Sequence, residues 1–173
     1  PGPIVIGRDT RASGKAFRTS VIDGLNRAGH TVIDLGIVPT PTVLFMVRKL
    51  KAAAGIVITA SHNPSQWNAL KFVSSKGVFL NEEEFNVFSS SVAEHAELPS
   101  RRKQRISLRK SGLDAHIDAI VSNIGRLERR LRVGVDGVNA AGSIGLPRVL
   151  ERMGCRVFRL HCRFGPVFPR GPE

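Results

Sequence analysis

The sequence predicts an α/β fold, a mainly parallel sheet layered with helices, in which a second copy of the unit begins and is truncated. Three observations predict it. Short, continuous apolar runs alternate with stretches whose apolar residues fall at helical spacing. The runs end at a glycine or a polar loop, where strands buried on both faces stop. The opening pattern of strand, aspartate, helix, glycine and strand returns from residue 131.

Taken in order, Ile4-Val5-Ile6 is the first apolar run, closed by Gly7. Phe17, Val21, Ile22 and Leu25 mark a helix, with Ser13 placed to cap its start and Gly29 placed to stop it. Thr31-Val32-Ile33-Asp34-Leu35 reads as the second strand, and Gly36 with Pro39-Thr40-Pro41 as a rigid turn into a helix over about 41–51. Gly55-Ile56-Val57-Ile58-Thr59 is the next strand, and Leu70-Lys71-Phe72-Val73 is extended. Strands and helices alternating at this spacing imply right-handed crossovers. Glu82, Glu83 and Glu84 stand at the positive end of a further helix. Residues 99–112 read as a basic linker, and Leu113 to Leu127 as helix. Arg132-Val133-Gly134-Val135-Asp136 then matches the first strand and Asp9. Leu150-Glu151-Arg152-Met153-Gly154 echoes Leu25-Asn26-Arg27-Ala28-Gly29. The expected division is a first domain over 1–98, a linker over 99–112, and the start of a second domain over 113–173.

Composition narrows the class. The 173 residues are 42% hydrophobic, enough for one core or for one domain and part of another. No apolar run is long enough to span a membrane and no basic-then-apolar leader opens the chain, so a soluble cytoplasmic protein with no membrane partner is expected. Cys155 and Cys162 are too few for a disulfide framework and fit no common zinc spacing. The net charge of +12 asks for an anionic partner. Arg101, Arg102, Lys103, Arg105, Arg109 and Lys110 form one cluster, and Arg126, Arg129, Arg130 and Arg132 another. Neither carries the interleaved aromatics of a single-strand binding face, which argues against nucleic acid. The competing reading is a non-catalytic basic module that binds nucleic acid or another polyanion through residues 101–110.

Chemistry concentrates in Thr59-Ala60-Ser61-His62-Asn63-Pro64, which puts a small hydroxyl at the carboxyl end of a buried strand, where α/β folds place their sites. Serine is a weak nucleophile unless activated or preloaded. His62 adjoins it, but neighbours on an extended loop point apart, and no Gly-x-Ser-x-Gly elbow is present. On composition alone this loop reads equally well as a polar connection punctuated by Pro64.

The loop resembles the phosphoserine loop of the α-D-phosphohexomutases, the superfamily of phosphoglucomutases, phosphomannomutases and phosphoglucosamine mutases. Further similar segments follow in the family's order: Gly7-Arg8-Asp9-Thr10-Arg11 with Ser13-Gly14, Gly36-Ile37-Val38-Pro39-Thr40-Pro41, Asn68 and Lys71, and Asp136-Gly137-Val138-Asn139-Ala140-Ala141-Gly142-Ser143. The resemblance implies that Ser61 is a phosphoserine exchanging its phosphoryl group with a hexose phosphate through a hexose 1,6-bisphosphate. It implies magnesium bound partly through the Ser61 phosphate, and Lys71 as an electrostatic clamp or proton-transfer partner. Arg8, Asp9 and Arg11 are expected to support the loop or to bind phosphate, with support favoured. His62, Asn63 and Asn68 belong to its surroundings, and Trp67 is expected as packing or loop cover. Three departures stand out. Ala69 replaces a usual glycine; the family's N-terminal arginine segment does not precede Pro1; and its Asp-Gly-Asp-x-Asp-Arg metal loop, sugar loop and C-terminal phosphate loop are not found. The expectation is therefore a fragment, inactive alone, whose sugar and oligomeric state are not legible.

Overall fold

The structure is a computed structural model that describes residues 2–94 and 106–170. Its first sheet has strands β1 (Ile4–Arg8), β2 (Val32–Ile37), β3 (Ala54–Ile58), β4 (Leu70–Val73) and β5 (Ile106–Leu108), in the order β4-β3-β1-β2-β5. β1 is central and runs parallel to β2 and β3; β2 runs parallel to β5, and only β4 is antiparallel. Helices α1 (Gly14–Arg27) and α2 (Thr40–Lys49) make the crossovers, and α3 (Glu82–Glu94) follows β4. α4 (Gly112–Ile124) leads to a second, two-stranded parallel sheet of β6 (Arg132–Asp136) and β7 (Arg156–Leu160), joined by α5 (Gly142–Arg152).

The continuous apolar runs are explained by burial on both faces. Val5 and Val57 point into a core with Val43, Met46 and Val47 of α2, while Ile4, Ile6, Ile56 and Ile58 meet Ile22 of α1. Each of these side chains contributes about 1.5–3 kcal/mol by leaving water. α2 approaches so closely that a Cβ on Gly55 would lie 2.6 Å from Val47, and one on Gly7 2.6 Å from Val43. Glycine at both positions is a packing requirement.

The helix ends repeat between the two halves. After α1, Gly29 has φ 87° and His30 N–H donates to the Leu25 carbonyl at 2.9 Å; after α5, Gly154 has φ 97° and Cys155 N–H donates to Leu150 at 2.9 Å. Both are left-handed glycine stops. At the other end of α1, Ser13 occupies the cap position but makes no capping bond: its backbone is already helical, and its hydroxyl accepts from Asn68 Nδ2 at 3.0 Å. α3 starts with acidic residues at its positive end, as expected, and also has a reciprocal cap that was not expected from the sequence: Glu84 N–H donates to Asn81 Oδ1 at 2.8 Å, and Asn81 N–H to Glu84 Oε2 at 3.0 Å.

Residues 106–108, read from sequence as part of the linker, form β5, and Arg109 N–H extends the pairing to the Asp34 carbonyl at 2.8 Å. Arg101, Arg102, Lys103 and Arg105 lie outside the described residues. α4, read as the start of the second domain, packs on both halves: Leu113 and Ala115 meet the α2 core, while Asp114 and Asp118 pair with Arg148 and Arg152 of α5. Its His116 bonds Thr42 Oγ1 at 3.0 Å and stacks on Phe45 at 4.9 Å. Burial holds His116 below its ordinary value of 6.5. The unfolded chain then takes up this proton before the folded one, so the contribution is complete above about pH 6.5 and is lost as pH falls below it. Urea denaturation at pH 7 and pH 5 should show lower stability at pH 5, with a smaller drop in His116→Gln.

Candidate functional site

The site is built where β1 and β3 end side by side. Their register, Arg8 against Ile58, brings the loop after β1 against the loop after β3, and Asp9 N–H donates to the Ile58 carbonyl at 3.1 Å. Asp9 Oδ2 accepts from Thr59 Oγ1 at 2.7 Å, and Thr59 Oγ1 accepts from Ser61 N–H at 3.2 Å. This chain of bonds fixes the first residues of the serine loop. Ser61 itself has φ 56°, a left-handed conformation that costs a non-glycine residue roughly 1–2 kcal/mol. Such strain persists only where the surroundings over-determine it.

Arg11 supplies that determination. It is 1% exposed, and all five of its guanidinium N–H groups have partners. Nε donates to Asp9 Oδ2 at 2.9 Å, Nη1 to the carbonyls of Pro64 at 2.6 Å and Trp67 at 3.0 Å, and Nη2 to those of Ser61 at 2.9 Å and Asn63 at 2.8 Å. With no donor left for phosphate, Arg11 holds the loop that presents Ser61. Thr10 Oγ1, next to it in sequence, is buried without a hydrogen-bond partner among the described residues, a cost of about 1–3 kcal/mol.

The other expected residues take distinct places. Arg8 is half-buried and donates from Nη1 to the Asp9 carbonyl at 2.9 Å; burial first, then the charge of Arg18, hold its guanidinium below its ordinary value. Arg18 pairs with buried Asp34, so a cationic pair sits beside one carboxylate under the start of α1. Asn63 closes a turn through Nδ2 to the Ala60 carbonyl at 3.0 Å, and Asn68 reaches Ser13. His62 is exposed on the loop. Trp67, expected to pack or cover, is 62% exposed; its carbonyl, not its ring, is what Arg11 uses. Lys71 lies opposite Val57 in the β3–β4 pair, on the same face, with Nζ 5.7 Å from the centre of the Phe79 ring. No hydrogen bond or ion pair joins Lys71 to the Ser61 loop among the described residues.

Ser61 opens onto a cavity of about 200 Å³ lined by Asp9, Val38, Thr59 and Ser61 on one side and by Val138, Ala140, Gly142 and Phe168 on the other. The far wall is the loop after β6 and the first turn of α5, whose N-terminus carries positive potential. That loop is strained too, with Val138 at φ 42° and Asn139 at φ 58°. Asp136 restrains it by accepting from Val138 N–H at 3.0 Å, a bond that, with Arg170 and His161, holds its carboxyl below the usual range. Larger depressions of about 620 and 650 Å³ lie around Arg126 and around Phe45, with no residue of the serine loop in either. Phe168 and the Val138 loop wall were not legible as site residues, because they meet Ser61 only across the interface between the two halves.

This arrangement, a strained and clamped serine at the carboxyl edge of a parallel sheet, defines an α/β protein with a carboxyl-edge serine-loop site. Residues 1–97 match the family described as phosphoglucomutase/phosphomannomutase, alpha/beta/alpha domain I, and the chain belongs to that family. It is 36% identical over 98% of its length to a phosphoglucomutase/phosphomannomutase of Thermococcus kodakarensis, and 34% identical over 96% to a phosphoglucosamine mutase of Desulforamulus reducens. It covers 38% and 37% of those relatives. A solved phosphoglucomutase/phosphomannomutase family protein from Burkholderia thailandensis superposes with a TM-score of 0.80 at 27% identity, over 98% of this chain and 38% of that one. The chain thus spans well under half the length of the relatives it matches.

Proposed function

We propose that this chain is the phosphoryl-carrying part of a phosphohexomutase that interconverts hexose 1-phosphate and hexose 6-phosphate. The observation that carries the reading is Ser61, held in a left-handed conformation by Arg11 and directed into a cavity at the carboxyl edge. In the forward step, the bond from phosphorus to Ser61 Oγ breaks as a bond to the free hydroxyl oxygen of the hexose monophosphate forms. The hydroxyl proton passes to solvent or to a proton-transfer partner; in the return step the bond from phosphorus to the bisphosphate's other sugar oxygen breaks as one to Ser61 Oγ forms, and the freed sugar oxygen takes up a proton. Asp9, Thr59 and Arg11 fix the loop backbone that carries Oγ, and positioning of this kind lowers the barrier. Lys71, paired with Val57 across β3 and β4, would serve as electrostatic clamp or proton-transfer partner by swinging from its place over Phe79, and Arg8 adds positive potential beneath the loop.

Magnesium would supply charge neutralisation in this chemistry, and on this chain the Ser61 phosphate is the group that would help to hold it. The protein groups present do not complete such a site: among the described residues no cluster of three or more His, Cys, Asp or Glu side chains could hold a metal. Both oxygens of Asp9 are already engaged by Arg11 and Thr59.

The reading of β6, α5 and β7 as the opening of a second copy of the first unit is supported by the matched glycine stops at Gly29 and Gly154. No helix among the described residues is long and apolar enough to cross a membrane. The polyanion-binding alternative finds no support among these relatives, which are named for hexose-phosphate mutases.

Incubation with glucose 1,6-bisphosphate and magnesium, followed by intact-mass measurement and peptide mapping, tests the function. Phosphate is expected on Ser61 and is expected to vanish in Ser61→Ala. Stable phosphate at another serine, with none at Ser61, would overturn the assignment.

A further inference from the structure

We propose that Phe168 is a positioning residue for the Ser61 loop, acting through Arg11, and that residues 163–170 are the strap that holds it there. The Phe168 ring lies 5.2 Å from the Arg11 guanidinium carbon, within the range of a cation–π contact, and also forms part of the cavity wall opposite Ser61. Arg11 makes its four bonds to loop carbonyls in this covered position. A hydrogen bond shielded from water is stronger than the same bond in water, so the ring favours the clamped loop over a hydrated, open one.

The strap has its own anchors, on the last residue of β6 and on the loop after it. Arg163 N–H donates to Asn139 Oδ1 at 3.0 Å, Gly165 N–H to the Asn139 carbonyl at 3.3 Å, and Asn139 Nδ2 to the Val167 carbonyl at 3.4 Å. Arg170 then reaches Asp136 Oδ2 through Nε at 3.1 Å and Nη2 at 3.0 Å. Pro166 and Pro169 bracket Val167 and Phe168, which restricts the backbone on either side of the ring. The second half of the chain therefore reports its docking to the serine loop through one side chain. Where the strap is seated, Arg11 is covered and the loop is fixed; where it lifts, the clamp is wetted and the loop loosens.

Phe168 bears on catalysis only through the proposed role of Ser61, whereas amide exchange reads its contact with Arg11 without any phosphoryl donor, so failure of the two readings can be told apart. The experiment is hydrogen–deuterium exchange on the full chain and on Phe168→Ala, Phe168→Tyr and Arg170→Gln. The reporters are the amides of Ser61, Asn63 and Trp67, bonded to Thr59 Oγ1 and to the Ala60 and Pro64 carbonyls. In Phe168→Ala they are expected to exchange about threefold faster or more, as for the loss of one partly desolvated cation–π contact. The amides of β1 and β3 should stay unchanged, Phe168→Tyr should restore protection, and Arg170→Gln should give a smaller increase confined to the same loop. Unchanged loop exchange in Phe168→Ala would overturn the proposal. So would acceleration spread over the whole chain, or Phe168→Tyr behaving like Phe168→Ala.

Discussion

The 173 residues by themselves are expected to show no steady-state mutase turnover on glucose, mannose or glucosamine phosphates. The cavity at Ser61 is about 200 Å³ and its walls offer one carboxylate, Asp9, whose oxygens already bind Arg11 and Thr59. Charge on a transferring phosphoryl group needs several cationic or metal contacts, and the substrate must be held in line with Ser61 Oγ. Losing both is enough to leave no turnover above the solution background. A coupled assay with purified chain, hexose 1-phosphate, bisphosphate and magnesium measures this. Turnover that disappears in Ser61→Ala would show that groups here, Asp114, Asp118 or Asp136 among them, supply the metal site after all.

Replacing Arg11 should have the largest effect of any single substitution on stability and on the loop together. Arg11→Met removes a buried cation that satisfies Asp9 and four loop carbonyls, leaving the Asp9 carboxylate with its two remaining donors, the Arg11 backbone N–H and Thr59. Removing one partner of a buried ion pair costs about 3–5 kcal/mol, and the exposed side of this loop, where water can reach the carbonyls, argues for the lower end, about 3 kcal/mol. Arg11→Lys should not restore it, because one ammonium with three donors cannot span four carbonyls and a carboxylate. Urea denaturation gives the stability change, and phosphate incorporation at Ser61 gives the functional one. An unchanged midpoint in Arg11→Met would show that the clamp contributes nothing.

Local pattern carried much of the fold. The runs Ile4 to Ile6 and Ile56 to Ile58, the helical spacing of Phe17 to Leu25, and the stop at Gly29 each report an interaction completed within a few residues, so they are visible in a short window. The serine loop was legible as a polar segment at a strand end, but it was motif order and not local periodicity that singled out Ser61, because the contacts that fix the loop come from Asp9 and Arg11 at least 50 residues away. Ser13 shows the limit of such reasoning. It stands where a cap belongs, yet its hydroxyl serves Asn68, 55 residues away.

By itself, then, the sequence determined the alternating strands and helices, the family and Ser61 at a strand end, because periodicity and motif order are properties of neighbouring residues. Only the tertiary structure decided that Ile106–Leu108 joins the first sheet, that β4 runs antiparallel, that Trp67 is exposed while its carbonyl is bound, and that Arg11 is a clamp. Strand pairing and buried polar satisfaction are settled between residues far apart in the chain. Arg11 meets its loop partners at separations of 50 to 56 residues, and Phe168 meets Arg11 from the other end of the described chain, so neither leaves a local period to read.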